Sequence, residues 1–180
     1  KTADKLSDVC PEEKYLIFAC GGDGTLSAVA AGMIKTDSIL APLPVGSGND
    51  FIKYFGKDNK DKYTIGNLIN GSVQRIDTLS INDLISINIV SAGFDAEVCA
   101  KMPIYKRIPL VTGPLAYDMA LVHGFFTSIK NTYTLIVDGK EIPKNDYLFA
   151  VAANGHYYGG GFLASPKSDI ADGYIDLILI

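Results

Sequence analysis

Two glycine-rich segments, each with an aspartate, carry the side chains best suited to chemistry. The first, residues 21–25 (GGDGT), follows a short apolar run, and the second, residues 44–50 (PVGSGND), ends the next one. Glycine lets a backbone approach phosphates closely, and a helix that begins at such a loop points N–H groups at an anion. A carboxylate there can hold Mg²⁺ or accept a proton from an attacking hydroxyl. The two segments therefore predict a phosphate-binding site.

The elements around these segments favour a parallel α/β layer. Residues 15–20 and 39–45 are short apolar strands, residues 26–34 have helical apolar spacing, and Asp50 is predicted to cap a short helix that reaches Phe55. Loops after neighbouring parallel strands meet at one sheet edge, where ligands bind. A lone glycine loop is also an ordinary tight turn before a helix. Two converging loops instead favour the binding of a nucleoside triphosphate and its metal ion.

The pattern changes after residue 67 to strands joined by tight turns. The predicted second half is therefore mainly antiparallel β-structure with one helical insertion, residues 115–128. The predicted paired strands are residues 73–81 with 84–90 around Asn82-Asp83, residues 132–137 with 147–152 around Asp138-Gly139, and a last strand at residues 174–180.

Composition excludes several classes of protein. The 180 residues carry a net charge of −4 with no basic stripe, which argues against a nucleic-acid partner. Cys10, Cys20 and Cys99 have no CxxC spacing, which argues against a disulfide scaffold or a zinc site, and Cys20 is predicted to be buried. The longest stretch without charged residues, 147–166, is too rich in glycine for a membrane-spanning helix. The reducing cytoplasm is the simplest compartment.

Six segments that extend over nearly the whole chain are GGDGTLSAVAAGM, LPVGSGNDF, NIVSAGFDAEV, GPLAY, ANGHYYGGG and ADGYID. Together, and in this order, they resemble the diacylglycerol kinase catalytic domain family, which includes bacterial diacylglycerol kinases, YegS-like lipid kinases, sphingosine kinases and ceramide kinases. The resemblance implies an α/β nucleotide-binding lobe (residues 1–70), a β-sandwich lobe (residues 71–180) and an active site in the cleft between them.

The resemblance also implies roles for individual residues. Asp23 would act as general base or in Mg²⁺-linked catalysis, with Asp50 supporting the same site. Glu97 would face the lipid head group, or be only structural. The predicted ligands of the ATP phosphates are Gly21, Gly22, Gly24, Thr25, Gly46, Ser47, Gly48 and Asn49, and those of a structural Mg²⁺ are Asp169, Asp172 and the backbone carbonyl of Tyr174.

Some features have two readings or depart from the family. The Asp169–Tyr174 segment can equally be an ordinary Asp-Gly turn, and the triple glycine 159–161 is either a tight path beside the cleft or a simple bulge. His156 is not predicted to be catalytic. Family members begin with a strand and an NPxSG-like loop and end with an Asp-Gly-Glu motif, and neither is recognisable here. The expectation is a chain that lacks both ends of the domain.

The predicted function is an ATP- and Mg²⁺-dependent lipid kinase of phospholipid metabolism, acting on diacylglycerol or another lipid with a primary hydroxyl. It would be cytoplasmic and peripheral at the inner face of the membrane, touching the bilayer through the insertion and residues 102–109, without a transmembrane segment or nucleic acid. A homodimer is allowed. The alternatives are an NAD kinase-like or phosphofructokinase-type small-molecule kinase and a non-catalytic nucleotide- or lipid-binding module, although the retained Asp23 and Asp50 argue against decay.

Overall fold

The computed structural model describes residues 14–56, 60–105, 108, 119, 123 and 131–180. By their contacts these fall into two compact units. The first holds the described residues up to Val90 together with Ala153–Asp176, and the second holds Ser91–Ala152 with Leu177–Ile180. The predicted domains, residues 1–70 and 71–180, are a different division of the chain, and they stay a prediction.

Strands outnumber helices in the described part of the chain. The 3₁₀ helices are Phe51–Phe55 and Lys60–Tyr63. The α-helices are α1 (Asp23–Met33), α2 (Ile65–Ile69) and α3 (Phe94–Tyr105). The strands are β1 (Leu16–Gly21), β2 (Ile39–Pro44), β3 (Leu79–Ile81), β4 (Leu84–Ser86), β5 (Ile89–Gly93), β6 (Asn131–Val137), β7 (Lys140–Tyr147), β8 (Phe149–Ala153), β9 (Tyr157–Tyr158), β10 (Phe162–Leu163) and β11 (Asp176–Leu179).

In the first unit, β1 and β2 form the predicted parallel pair. Leu16 lies opposite Ile39, and Gly21 lies opposite Pro44 at the other end. The chain leaves β1 directly into α1, and it leaves β2 into the second glycine loop. Because the strands are parallel and in register, both loops begin at the same sheet edge. The predicted strand–loop–helix–strand order is confirmed, but α1 begins at Asp23 rather than at Leu26, so residues 23–25 of the predicted turn are helical.

The two loops also touch. A Cβ atom added at Gly46 would lie 2.4 Å from the Gly22 Cα and 2.7 Å from the Gly22 nitrogen. Both neighbours are backbone atoms, which cannot turn aside as a side chain can. Glycine at this position is therefore required for the two loops to approach each other.

A small apolar core lies beside this edge. Leu26 of α1 and Phe51 of the first 3₁₀ helix pack with Ala19, Ile87 and Ile170, all of them buried. Burying side chains of this size contributes about 1.5–3 kcal/mol each. The core thus fixes both the start of α1 and the helix that follows the second loop.

The prediction that Cys20 is buried was wrong. Ala19 is 2% exposed and belongs to the core, whereas the Cys20 side chain is exposed. Successive strand residues point to opposite faces of a sheet, so the residue after a buried position turns outward. Cys99 is exposed as well, and Cys10 lies outside the described residues.

The predicted hairpin around Asn82-Asp83 is confirmed. β3 and β4 pair antiparallel, and Asn82 has a φ of 52°, which this turn requires. Both strands are shorter than predicted: β3 holds only the end of residues 73–81, and residues 84–90 are divided between β4 and β5, which belongs to another sheet. The Asp77 N–H donates to the Ile170 carbonyl outside the hairpin. In the second 3₁₀ helix of the first unit, burial raises the pKa of the Tyr63 hydroxyl, which donates to the Ile52 carbonyl at 3.2 Å.

The second unit is mainly β-structure. β6 and β7 form an antiparallel hairpin in which Asp138 and Gly139 have φ values of 50° and 76°. The predicted partner for residues 132–137 was wrong: a two-residue turn returns the chain at once, so Lys140–Tyr147 pairs with β6 rather than residues 147–152. Those residues lie in β8, which is central in a sheet of order β11–β8–β5.

Helix α3 was not predicted, and it includes residues 102–105 of the predicted membrane-facing loop. Apart from Met119 and His123, the predicted insertion at residues 115–128 lies outside the described residues. No helix in the described ranges is long and apolar enough to cross a bilayer. An α/β layer followed by mostly antiparallel β-structure is the predicted fold class, which is confirmed.

Replacing Asn154 with alanine should destabilise the first unit. Asn154 is 1% exposed, and its Nδ2 donates to the carbonyls of Asp77 and Ile87, both at 3.0 Å. Leaving buried acceptors unpaired should cost about 2 kcal/mol in the free energy of unfolding, measured with urea. Asn145→Ala, at an exposed position of β7, should change it by less than about 0.5 kcal/mol. Equal effects for the two variants would contradict this account.

Gly46→Ala should separate the two glycine loops. The added methyl group would meet the Gly22 backbone at 2.4 Å, so we expect a loss of about 1–3 kcal/mol in unfolding free energy. Gly66→Ala in α2 is the matched control, because nothing lies within 4 Å of its added Cβ. A Gly46→Ala protein as stable as the Gly66→Ala protein would show that the loops do not need this contact.

Candidate functional site

The first loop leads into an uncapped helix end. The N-cap of α1 is Gly22, which has no side chain to occupy the first amides, and the amides of Thr25 and Leu26 both donate to its carbonyl at 3.0 Å. A Cβ at Gly21 would collide with the Thr25 side chain, so that side chain lies directly against the loop. An uncapped helix N-terminus is a favourable place for a phosphate.

The second loop is held closed by Asn49. Its Oδ1 accepts from the Gly46 amide at 3.1 Å, and its Nδ2 donates to the Gly46 carbonyl at 2.6 Å. Asn49 has a φ of 50°, in the left-handed region that asparagine tolerates. Ser47 at the tip is exposed. The Asn49 side chain thus shapes the loop, and the predicted phosphate contacts of Gly46, Ser47, Gly48 and Asn49 stay predictions.

Asp23 joins the two loops. Its Oδ2 accepts from the Asp50 amide at 2.9 Å, and its Oδ1 accepts from the Phe51 amide at 2.8 Å. The carboxylate at the start of α1 therefore caps the 3₁₀ helix that follows the second loop. The predicted capping by Asp50 was wrong, because the Asp50 side chain makes no cap hydrogen bond.

Asp50 instead extends the network to the triple glycine. Its buried carboxylate accepts from Lys53 Nζ at 2.5 Å through Oδ1 and from the Gly160 amide at 2.7 Å through Oδ2. All three glycines at 159–161 have positive φ. The triple glycine is thus the turn between β9 and β10, and its backbone contacts the acidic end of the second loop.

Lys53 was missed from the sequence. Its ammonium is part-buried, and it lies 3.2 Å from the position that a Cβ at Gly161 would take. The available signal was the three-residue spacing from Asp50 in a short helix, which places the two side chains on the same face.

The residues predicted to bind a structural Mg²⁺ form local turns. Asp169 Oδ1 accepts from the Ala171 amide at 3.0 Å, and Asp172 Oδ1 accepts from the Tyr174 amide at 2.9 Å. The second carboxylate oxygen of each makes no hydrogen bond to the described residues. Carboxylate and carbonyl oxygens are ligands that suit Mg²⁺, so the donor chemistry fits. No group of three or more His, Cys, Asp or Glu suited to a metal occurs among the described residues, and the site stays a prediction.

Asp77 was also missed. Its Oδ2 accepts from the Gly173 amide at 2.7 Å, so it anchors the same turn that carries Tyr174. These residues line a cavity of about 350 Å³ together with Asn154, whose Oδ1 is buried without a hydrogen-bond partner in the described structure. Asp77 follows Arg75 and Ile76 in the mixed segment SVQRIDTLSI, whose pattern did not mark it as part of a site.

Two other singled-out residues make different contacts. Glu97 is on α3 in the second unit, where Lys101 Nζ lies 3.4 Å from its Oε2, and its predicted lipid contact stays a prediction. His156 Nε2 lies 2.8 Å from the Ser168 carbonyl, and its ring packs 4.5 Å from that of Tyr54. Both contacts of His156 are structural.

Two family models match consecutive parts of the chain. Residues 1–81 match the family model of the diacylglycerol kinase catalytic domain. Residues 88–180, just over half of the chain, match that of the YegS C-terminal NAD kinase beta sandwich-like domain. The two matches follow one another and take in the glycine loops and most of the β-structure.

Among curated relatives, a diacylglycerol kinase of Bacillus subtilis is 31% identical over 169 residues, 92% of this chain and 54% of the relative. A diacylglycerol kinase of Mycobacterium tuberculosis is 28% identical over 169 residues, 91% of this chain and 54% of the relative. A protein named as a YegS-like lipid kinase in Pseudomonas putida is 30% identical over 172 residues, 91% of this chain and 55% of the relative. The chain thus spans little more than half the length of these relatives.

Solved structures show the same fold. A crystal structure of a diacylglycerol kinase from Bacillus anthracis superposes with a TM-score of 0.64 at 23% identity, covering 100% of this chain and 59% of that one. The parallel pair with its two glycine loops and the following β-structure are therefore those of a known fold. On the two consecutive family matches, the chain belongs to the family of diacylglycerol kinases and YegS-like lipid kinases.

Proposed function

We propose that the protein is an ATP- and Mg²⁺-dependent lipid kinase that transfers the γ-phosphate to a primary hydroxyl of a membrane lipid, with diacylglycerol as the acceptor. The observation that carries the proposal is the bond between the loops: the Asp23 carboxylate accepts from the amides of Asp50 and Phe51, at 2.9 and 2.8 Å. Two glycine loops are thereby fixed as one site, and the named relatives include diacylglycerol kinases.

The phosphates of ATP would lie at the uncapped N-terminus of α1, against Gly22 and Gly24. Ser47 and Gly48, at the tip of the second loop, would approach from the other side. Phosphoryl transfer depends mainly on positioning and on neutralising charge, so rigid loops with open amides are suitable tools. The close backbone contact of Gly22 with Gly46 leaves these loops little freedom to separate.

Asp23 would act on the acceptor. The lipid hydroxyl oxygen would form a bond to the γ-phosphorus while the bond from that phosphorus to the bridging oxygen breaks, releasing ADP. The hydroxyl proton would pass to the Asp23 carboxylate. Both Asp23 oxygens already accept a backbone N–H, yet each keeps a further lone pair. The backbone bonds hold the carboxylate still while it receives the proton.

Bound Mg²⁺ would neutralise phosphate charge, as it does in other phosphoryl-transfer enzymes. The carboxylates of Asp169 and Asp172, with the Tyr174 carbonyl, would hold a structural Mg²⁺ in the same unit. The hydroxyl of Tyr54, at the end of the second loop's helix, contacts Asp169 Oδ1 at 3.5 Å. This contact ties the predicted metal turn to the helix that Asp23 caps.

A lipid acceptor places the enzyme at a membrane surface, and we propose a cytoplasmic protein peripheral at the inner face. Glu97 is the candidate for contact with the lipid head group. A homodimer belongs to the same proposal.

A water-soluble acceptor, as in an NAD kinase-like enzyme, is the second candidate, because the family model matched by residues 88–180 is described as NAD kinase beta sandwich-like. A non-catalytic nucleotide- or lipid-binding module is the remaining alternative.

Asp23→Asn should abolish transfer to lipid. Removing a general base lowers the rate by about 10²- to 10⁴-fold. The asparagine side chain would also place an NH₂ group where one Asp23 oxygen now accepts a backbone N–H. The measurement is transfer of label from Mg·ATP into the organic phase, in mixed micelles of diacylglycerol, phosphatidylglycerol and sphingosine. Asp37→Asn is the matched control, because Asp37 is exposed and, among the described residues, forms an ion pair only with Lys14 at 3.5 Å.

Three results are informative. Label in diacylglycerol, retained by Asp37→Asn and lost in a folded Asp23→Asn protein, supports the proposal. Label in phosphatidylglycerol or sphingosine corrects the substrate. ATP binding without lipid label, followed by label in a water-soluble acceptor or in none, contradicts the proposal in favour of the alternatives. A thermal melt of each variant verifies that it is folded.

A further inference from the structure

The second loop has fewer open amides than its glycines suggest. The Asp50 and Phe51 amides, at the start of the 3₁₀ helix, both donate to Asp23, and the Gly46 amide donates to Asn49 Oδ1. Asp23 therefore occupies the helix end at which a phosphate would otherwise bind. An anion that enters between the loops also meets two carboxylates, since Asp23 and Asp50 both approach Gly48. A cation is needed there to balance the charge.

Lys53 is the cation that the fold brings to this position. Its ammonium lies 2.5 Å from Asp50 Oδ1 and beside the triple glycine, at 3.2 Å from a Cβ position on Gly161. Its side chain is 21% exposed. An ammonium has three N–H donors, and two of those of Lys53 make no hydrogen bond to the described residues. The Lys53 ammonium is thus held in place and keeps N–H donors that can bind a ligand.

Two other described lysines make ion pairs elsewhere. Lys14 pairs with Asp37, and Lys101 pairs with Glu97 in the second unit. Lys53 is held by the buried carboxylate of Asp50, whose other oxygen accepts a hydrogen bond from the Gly160 amide. A lysine held by such a carboxylate loses less side-chain entropy when it binds a ligand than one free in solvent.

We propose that Lys53 binds the triphosphate of the nucleotide directly, using the N–H donors that Asp50 leaves open, and that the triple glycine at 159–161 keeps the space beside its ammonium clear. This inference rests on the proposed nucleotide-binding function. The alternative role for the same contacts is that Lys53 only neutralises Asp50 and keeps the fold intact. The two roles predict different ligand dependence.

The test is calorimetric binding of ATP, ADP and adenosine to the wild-type chain and to Lys53→Met. Loss of one charge-assisted hydrogen bond should weaken ATP binding by about 10- to 100-fold. ADP should lose affinity as well, whereas adenosine, which has no phosphate, should bind as it does to the wild type. Lys53→Arg, which keeps the cation, should retain most of the ATP affinity. Lys62→Met, at an exposed position, has the same charge change and should bind ATP normally.

Other outcomes would overturn the inference. Equal losses for ATP and adenosine, or ATP binding unchanged in Lys53→Met, would show that Lys53 does not bind phosphate. Recovery of ATP affinity in the double variant Lys53→Met/Asp50→Asn would assign Lys53 to neutralising Asp50 alone. Failure of the wild-type chain to bind ATP at all would reject the proposed function itself, so the two failures are distinguishable.

Discussion

The arrangement of the candidate site depends on one carboxylate. Asp23 stands at the start of α1, and its two oxygens accept from two successive amides at the start of the helix after the second loop. It thus belongs to one loop and caps the other. This capping positions Asp50, and the Asp50 carboxylate in turn accepts hydrogen bonds from Lys53 Nζ and from the Gly160 amide. These hydrogen bonds hold together three segments of sequence that lie far apart: the start of α1, residues 50–53 and the triple glycine.

The network also constrains how the site can work. Because Asp23 is bound by backbone amides on both oxygens, it has a fixed position relative to each loop. A group that is held in this way loses little entropy when it meets a reactant, which is how enzymes gain from positioning. The same bonds occupy amides of the second loop, so in the proposed complex the positive charge around a phosphate would come from α1 and Lys53.

The sequence predicted what depends on local pattern. The parallel strands, α1, the two glycine loops and both hairpin turns follow from apolar spacing and from turn residues, and they are present. Contacts between residues far apart in the sequence were harder to predict. The Gly160 amide finds Asp50 across 110 residues, and no spacing rule connects them. Cys20 was predicted to be buried from its apolar neighbours, but strand alternation turned it outward.

The central claim is that the two loops joined by Asp23 form a phosphate cradle. The most direct measurement is an NMR titration of the ¹⁵N-labelled chain with ATP, following the backbone amides. The account predicts that the amides of residues 22–25 and 47–49 shift first and most, with adenosine leaving them nearly unchanged. Shifts confined to other parts of the chain, or equal shifts with adenosine, would contradict it.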